Sequence, residues 1–153
     1  MKKVWIYQAD RFFTEAEEAK AFSVLEQFVA GWTAHGDQLA GKASIYHHLF
    51  IVLEVDESVA STTGCSVDKS VHLLKKLEQE LNIGLFDRLM VAYRDAAGAV
   101  QLVSRNEFAQ LVKAGEIASN TIVFNNLLTT GEEFPDQWEI PFQESWHAKA
   151  FVI

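Results

Sequence analysis

The sequence predicts an α+β fold, an antiparallel sheet carrying two helices on one face, and three observations lead there. Short apolar runs rich in β-branched and aromatic residues, Val4–Tyr7, Leu49–Leu53 and Leu89–Tyr93, have the length and composition of interior strands. Two longer stretches, one opening near Thr14 and one near Ser66, repeat apolar residues every three or four positions, as helices do. In chain order the segments read strand, helix, strand, strand, helix, strand. That is the order of the split βαβ, or ferredoxin-like, plait.

The first helix opens on Thr14 and Glu17, a Thr-x-x-Glu pair able to satisfy two free backbone amides reciprocally. Ala21, Phe22, Leu25, Phe28, Val29 and Trp32 then form one apolar stripe. Gly31 or Gly36 can supply the left-handed residue that ends the helix. With Gly31, Trp32–Leu39 becomes a strand, Ala40–Ala43 a tight turn and Ser44–Asp56 a long returning strand, and we take that version. In the second helix Val67, Val71, Leu74, Leu77 and Leu81 share a face, with Ser66 as the N-cap and Asn82-Ile83-Gly84 as the stop. Arg88–Arg94 follows as the last strand of the plait. Ala96-Ala97-Gly98 then turns the chain into Val100–Val103, Ser104-x-x-Glu107 caps a third helix ending at Gly115, and Ile122-Val123-Phe124 is a further apolar segment. No repeat or linker separates these parts. We therefore expect one cooperative domain, a core over residues 1–103 and a C-terminal α/β extension over 104–153 packed on it.

At 153 residues the chain can bury a self-sufficient core, since domains of this size remove about 68–70% of their unfolded surface from water. One cysteine permits no internal disulfide, and no charged start, apolar stretch and small-residue cleavage site precede Val4. Those features point to a reducing cytoplasm. The net charge is −8, which disfavours nucleic acid and anionic lipid, and no apolar run approaches the ~18 residues needed to cross a bilayer. The acidity is localised: residues 114–148 hold Glu116, Glu132, Glu133, Asp136, Glu139 and Glu144 and no Lys or Arg. Phe134, Trp138, Phe142, Trp146 and Phe151 lie among these acids or just beyond them, and large aromatics contribute most when buried, so they are expected to cover a hydrophobic edge. An exposed subset would instead mark a partner surface or a homodimer contact.

The plait topology nominates one place for chemistry. It brings to one sheet edge Trp32, Asp56, the loop Ser61–Asp68 and Arg94, with His35 nearby. Cys65 then precedes a helix N-terminus, where the dipole favours a thiolate, His35 is a candidate base and Asp68 or Asp56 its orienting carboxylate. The same place offers Thr63, Gly64, Ser66 and free helix amides, with Trp32, Asp56 and Arg94 around them, to a small anionic ligand that need not react. A structural reading stands beside both, in which Cys65 is a small hydrophobe, Ser66 a cap and Gly64 a turn residue.

Other motifs carry less. Gly36–Ala43 has the spacing of a phosphate-cradling loop up to its last position, but Ala43 stands where Ser or Thr would hold magnesium, and a strand pattern follows where a helix is required. His47 and His48 are read as neighbours on a strand, pointing to opposite faces. With His72 and His147 they match no metal-ligand spacing, so no metal or cofactor is expected.

Trp32–Gly36, Gly64–Asp68 and the tail from Asn120–Asn126 to Ser145-Trp146-His147 resemble a small uncharacterised bacterial family whose members often bear the label ABC transporter ATPase. The resemblance covers nearly the whole chain and implies no established activity; the ABC signature Leu-Ser-Gly-Gly-Gln is missing here. The order strand, Gly98 turn, Glu107-Phe108 helix, Gly115-Glu116-Ile117 and Thr121-Ile122-Val123 resembles GYF-type peptide-binding modules, without their Gly-Pro-Tyr-like core. The leading expectation is a small-ligand or anion-binding protein using the Gly64–Asp68 helix start. The alternatives are a thiol-dependent enzyme with Cys65 as nucleophile and an interaction scaffold using the acidic aromatic tail.

Overall fold

A computed structural model describes residues 1–151 of the chain; 152 and 153, the end of the expected C-terminal extension, lie outside the described residues. The chain is α+β with antiparallel sheets, in two units: Met1–Phe86 with Thr129–Glu132, and Asp87–Leu128 with Glu133–Ile153. The division falls after Phe86 and not after residue 103.

The first unit is built on a three-stranded sheet of order β1-β5-β4, comprising β1 (Lys2–Gln8), β4 (Ala40–Tyr46) and β5 (Phe50–Asp56). Phe50, Ile51, Val52, Leu53 and Val55 are fully buried, which is what an unbroken apolar run demands of a central strand. Helix α1 (Glu15–Ala30) starts at Thr14 with the reciprocal cap to Glu17 and ends at Gly31, whose φ of −111° is not left-handed. Ala21 and Leu25 are buried, whereas Phe22, expected in the same stripe, is 41% exposed. Helix α2 (Gly64–Leu81) is capped by Thr63 and not Ser66; it buries Ser66, Ser70, Leu74, Leu77 and Leu81 and ends on left-handed Asn82.

The expected strand Trp32–Leu39 is instead a miniature hairpin of β2 (Thr33–Ala34) and β3 (Asp37–Gln38). His35 and Gly36 form its turn with φ of 51° and 81°, the positive pair that a two-residue hairpin turn requires. The expected turn at Ala40–Ala43 is strand. The chain reverses at His47 and His48, which have φ of 57° and 56°, so these histidines are turn residues and not strand neighbours. The Leu49 amide donates to the Tyr46 carbonyl, and the His48 carbonyl accepts from the Phe13 amide, fixing the turn from outside.

Register assigns the faces. Gly41, Ala43 and Ile45 share a row with Val55, Leu53 and Ile51, and with Lys3, Trp5 and Tyr7. A Cβ on Gly41 would lie 3.2 Å from Trp32 and Val29 side-chain atoms, so this is the helix-covered face. Trp32, Ala34, Leu39 and Val55 form its core, with Trp5, Phe28 and Val29 packed against them.

The second unit explains why the expected fourth plait strand left the first sheet. β6 (Met90–Arg94) pairs with β7 (Val100–Ser104) over five residue pairs, through a turn in which Asp95 accepts from the amides of Ala97 and Ala99. β8 (Ile122–Phe124) takes the other edge of β6 and is followed by β9 (Glu139–Pro141), giving the order β7-β6-β8-β9. Both edges of β6 are therefore occupied. In the first sheet the free edge of β1 receives Thr129–Gly131: the Val4 amide donates to Thr129 and the Gly131 amide to Lys2. α3 (Arg105–Lys113) begins at Ser104 as expected. Its Phe108 is fully buried with Val91, Ile117 and Val123, and Phe142, His147 and Phe151 lie against its ring. α4 (His147–Ala150) closes the described chain.

Candidate functional site

The start of α2 is where the sequence places ligand or nucleophile. Thr63 Oγ1 accepts from the Ser66 amide at 3.1 Å, and Ser66 Oγ accepts from the Thr63 amide at 2.8 Å, so both hydroxyls are spent on the cap. Trp32 reaches this point, its indole N–H donating to the Ser66 carbonyl at 2.8 Å. Asp56 sits before the loop and accepts from the amide and hydroxyl of Ser58, hydrogen bonds that hold its carboxyl below the usual range. Glu57 accepts from the amide and hydroxyl of Thr62, with Lys3 3.6 Å away, and its carboxyl is lowered for the same reason. The loop thus supplies its own carboxylates to its own donors. What is left over is small: the amides of Gly64 and Cys65, in the first turn, with no acceptor among the described residues.

No hydrogen bond joins Cys65, His35 and Asp68 among the described residues. Cys65 is exposed, as are His35 and Asp68, and none of their side chains makes a hydrogen bond or ion pair among the described residues. His35 is held in the β2–β3 turn by its positive φ, and Asp68 is one turn into α2 without a partner. Arg94 belongs to the second unit, where its Nε donates to Glu139 and its Nη1 to the Gly98 carbonyl. The hairpin that keeps β6 in the second sheet is the physical reason.

Gly36–Ala43 runs through the β2–β3 turn into β4 and opens no helix, so its amides are not arranged as a phosphate cradle. Among the described residues no group of three His, Cys, Asp or Glu is placed to hold a metal ion, and no helix is long and apolar enough to cross a membrane. Of the tail aromatics Trp138 is buried, and Phe134, Phe142, Trp146 and Phe151 are half-buried. Trp138 is 1% exposed and packs on Phe124 and Phe134, and its indole N–H donates to Asn126.

No known family model, curated protein or solved structure matches the chain. Its own geometry therefore carries the functional argument.

Two features escaped sequence reasoning. One is His147, 3% exposed, stacked on Trp146 at 3.8 Å and hydrogen-bonded through Nδ1 to Ser145 Oγ. Burial, and then the positive charge of Arg105, push its pKa down to about 4. The other is the rim of the first sheet. β4 is an outer strand, and along it runs a groove of about 420 Å³ lined by Glu18, Phe22 and Glu26 of α1 and by Lys42, Ala43, Ser44 and Ile45. The only sequence signal for it was Phe22, an apolar residue on the margin of the helix stripe.

Proposed function

We propose that the protein is a binding module, without catalysis at Cys65, that takes an extended peptide along the outer edge of β4. The carrying observation is that edge: no strand pairs with it among the described residues, and exposed Phe22 stands in the groove beside it. An unpaired strand edge offers a row of N–H and C=O groups to an incoming strand, and a neighbouring apolar residue anchors a side chain. The second unit adds support of another kind, because its strand, turn, strand, helix, strand order is the one that resembles GYF-type peptide-binding modules. In this reading the first unit derives from a ferredoxin-like plait, with Thr129–Gly131 at the edge a fourth strand would fill. The single cysteine supports a reducing, cytoplasmic setting.

The test is amide NMR of the full chain against seven-residue, strand-forming peptides of basic, neutral and acidic character. Amide shifts confined to Ala40–Tyr46 and α1 are expected with at least one of them, and no shift there with any of the three refutes the reading. Reaction of Cys65 with iodoacetamide at pH 7 at the rate of a free peptide thiol is expected; a rate about a hundredfold higher would restore the thiol enzyme.

A second reading is favoured by the unclaimed amides of Gly64 and Cys65, which can hold a small anion at the positive end of α2. Inorganic phosphate should then shift those two amides and not those of β4. Unchanged Gly64 and Cys65 resonances at millimolar phosphate rule it out.

A further inference from the structure

We propose that the peptide taken by this edge carries an apolar residue flanked by two basic ones, in the spacing base-x-apolar-x-base. The inference rests on the edge-binding reading above and names the chemistry of its partner. Glu18, Phe22 and Glu26 line the groove at positions i, i+4 and i+8 of α1, one row along a single helix face. Four helical residues rise about 6 Å. Two residues of a strand rise about 6.7 Å, and alternate strand side chains point the same way. A strand laid beside β4 therefore presents residues j, j+2 and j+4 to the helix row with a mismatch of about 1.4 Å over its whole length, which a flexible basic side chain absorbs.

The chemistry of the row is acid, aromatic, acid. Glu26 is exposed and its side chain has no hydrogen bond or ion pair among the described residues, while Glu18 shares one oxygen with His48 Nδ1 at 2.8 Å. Lys42 lines the groove as well, from the register row of Glu54, but it forms no ion pair with Glu18 or Glu26 among the described residues and leaves the row one base against two acids. Phe22 between the acids supplies the apolar anchor at 41% exposure. Two carboxylates with capacity to accept, 12 Å apart by helical rise, match two ammonium or guanidinium groups at the same interval, so about 12 Å decides the partner's spacing.

A second copy of this chain does not meet the requirement. Its β4 would bring Gly41, Ala43 and Ile45 to the helix side, none of them charged, and no two Lys or Arg residues of the chain stand four positions apart. The occupant is therefore a different polypeptide segment, extended and basic.

The experiment measures binding of three labelled peptides by fluorescence anisotropy: Thr-Lys-Thr-Val-Thr-Lys-Thr, the same with Gln at both Lys positions, and the same with Glu. Amide shifts of Ala40–Tyr46 report where each binds. The Lys peptide should bind about tenfold tighter than the Gln peptide and lose that margin in 0.5 M salt, as two partly exposed ion pairs allow. Glu18→Gln with Glu26→Gln should remove the same tenfold without disturbing the fold, since neither carboxylate is buried. If the Gln and Glu peptides shift the β4 amides as strongly as the Lys peptide does, the edge reading stands and the charge inference is overturned. If none of the three shifts those amides, both fall. Unchanged affinity in the double variant also overturns the inference.

Discussion

His147 offers the sharpest test of how this fold depends on its second unit. The imidazole is 3% exposed, stacked on Trp146 and against Phe108, with Arg105 as the charged group that opposes its protonation. Its folded pKa is about 4 against an ordinary 6.5. A histidine held neutral binds fewer protons folded than unfolded, so acid favours the unfolded chain. Above pH 6.5 both states are neutral and the group adds no pH dependence. Between pH 6.5 and 4 the unfolded state takes up the proton alone, and stability falls by about 1.4 kcal/mol per pH unit. From pH 7 to pH 5 the loss is about 2 kcal/mol, and complete passage below 4 costs about 3 kcal/mol. Urea unfolding followed by tryptophan fluorescence at pH 7 and pH 5 measures it, with His147→Phe as reference. Carboxylates that titrate in the same range contribute equally to both proteins and drop out of the difference. The wild type should lose about 2 kcal/mol more than the variant. Equal losses, or an imidazole NMR titration centred near 6.5 in the folded protein, would refute the burial argument.

Three further outcomes follow from the packing. Trp32→Phe keeps the ring in its cluster but removes the indole hydrogen bond to the Ser66 carbonyl, which keeps its place in the α2 ladder; a loss of about 1 kcal/mol is expected in urea unfolding. Thr63→Ala should cost about 1 kcal/mol as a lost N-cap, whereas Cys65→Ser, at an exposed thiol without partners, should stay within about 0.5 kcal/mol. A Cβ on Gly131 would lie 2.5 Å from Lys2 Cβ, so Gly131→Ala should free Thr129–Gly131 from β1, seen as faster hydrogen exchange at the Val4 and Gly131 amides. Unchanged exchange there would show that the β1 edge gives way instead.

Removing residues 129–153, the natural test of a detachable acidic tail, does not isolate a tail. It deletes β9, buried Trp138 and the strip on β1 together, so loss of partner and loss of fold would coincide.

What could be read along the chain was what adjacent residues decide among themselves. Thr14 with Glu17, Ser104 with Glu107 and the run Phe50–Val55 announce two caps and a buried strand through local hydrogen bonding and periodicity. The hairpin turns were missed because their signal is weak: His35, His47 and His48 accept positive φ, but a histidine is not a glycine, and nothing beside it in sequence says that it must. The pairing of the strand that carries Arg94 was decided at a longer range. Whether Met90–Arg94 joins β1 or pairs with its own neighbour depends on a competition between strand edges. The four-residue Asp95–Gly98 turn settles that competition, because closing a short loop costs less entropy than a distant pairing. With it Arg94 went to Glu139, the thiol loop kept only its own carboxylates, and the outer edge of β4 was left open. Composition and periodicity by themselves determined an α+β chain with its helices and central strand. Only the tertiary structure decided which edges are filled, because edge pairing is settled between segments far apart in sequence, and on that choice the proposed binding edge rests.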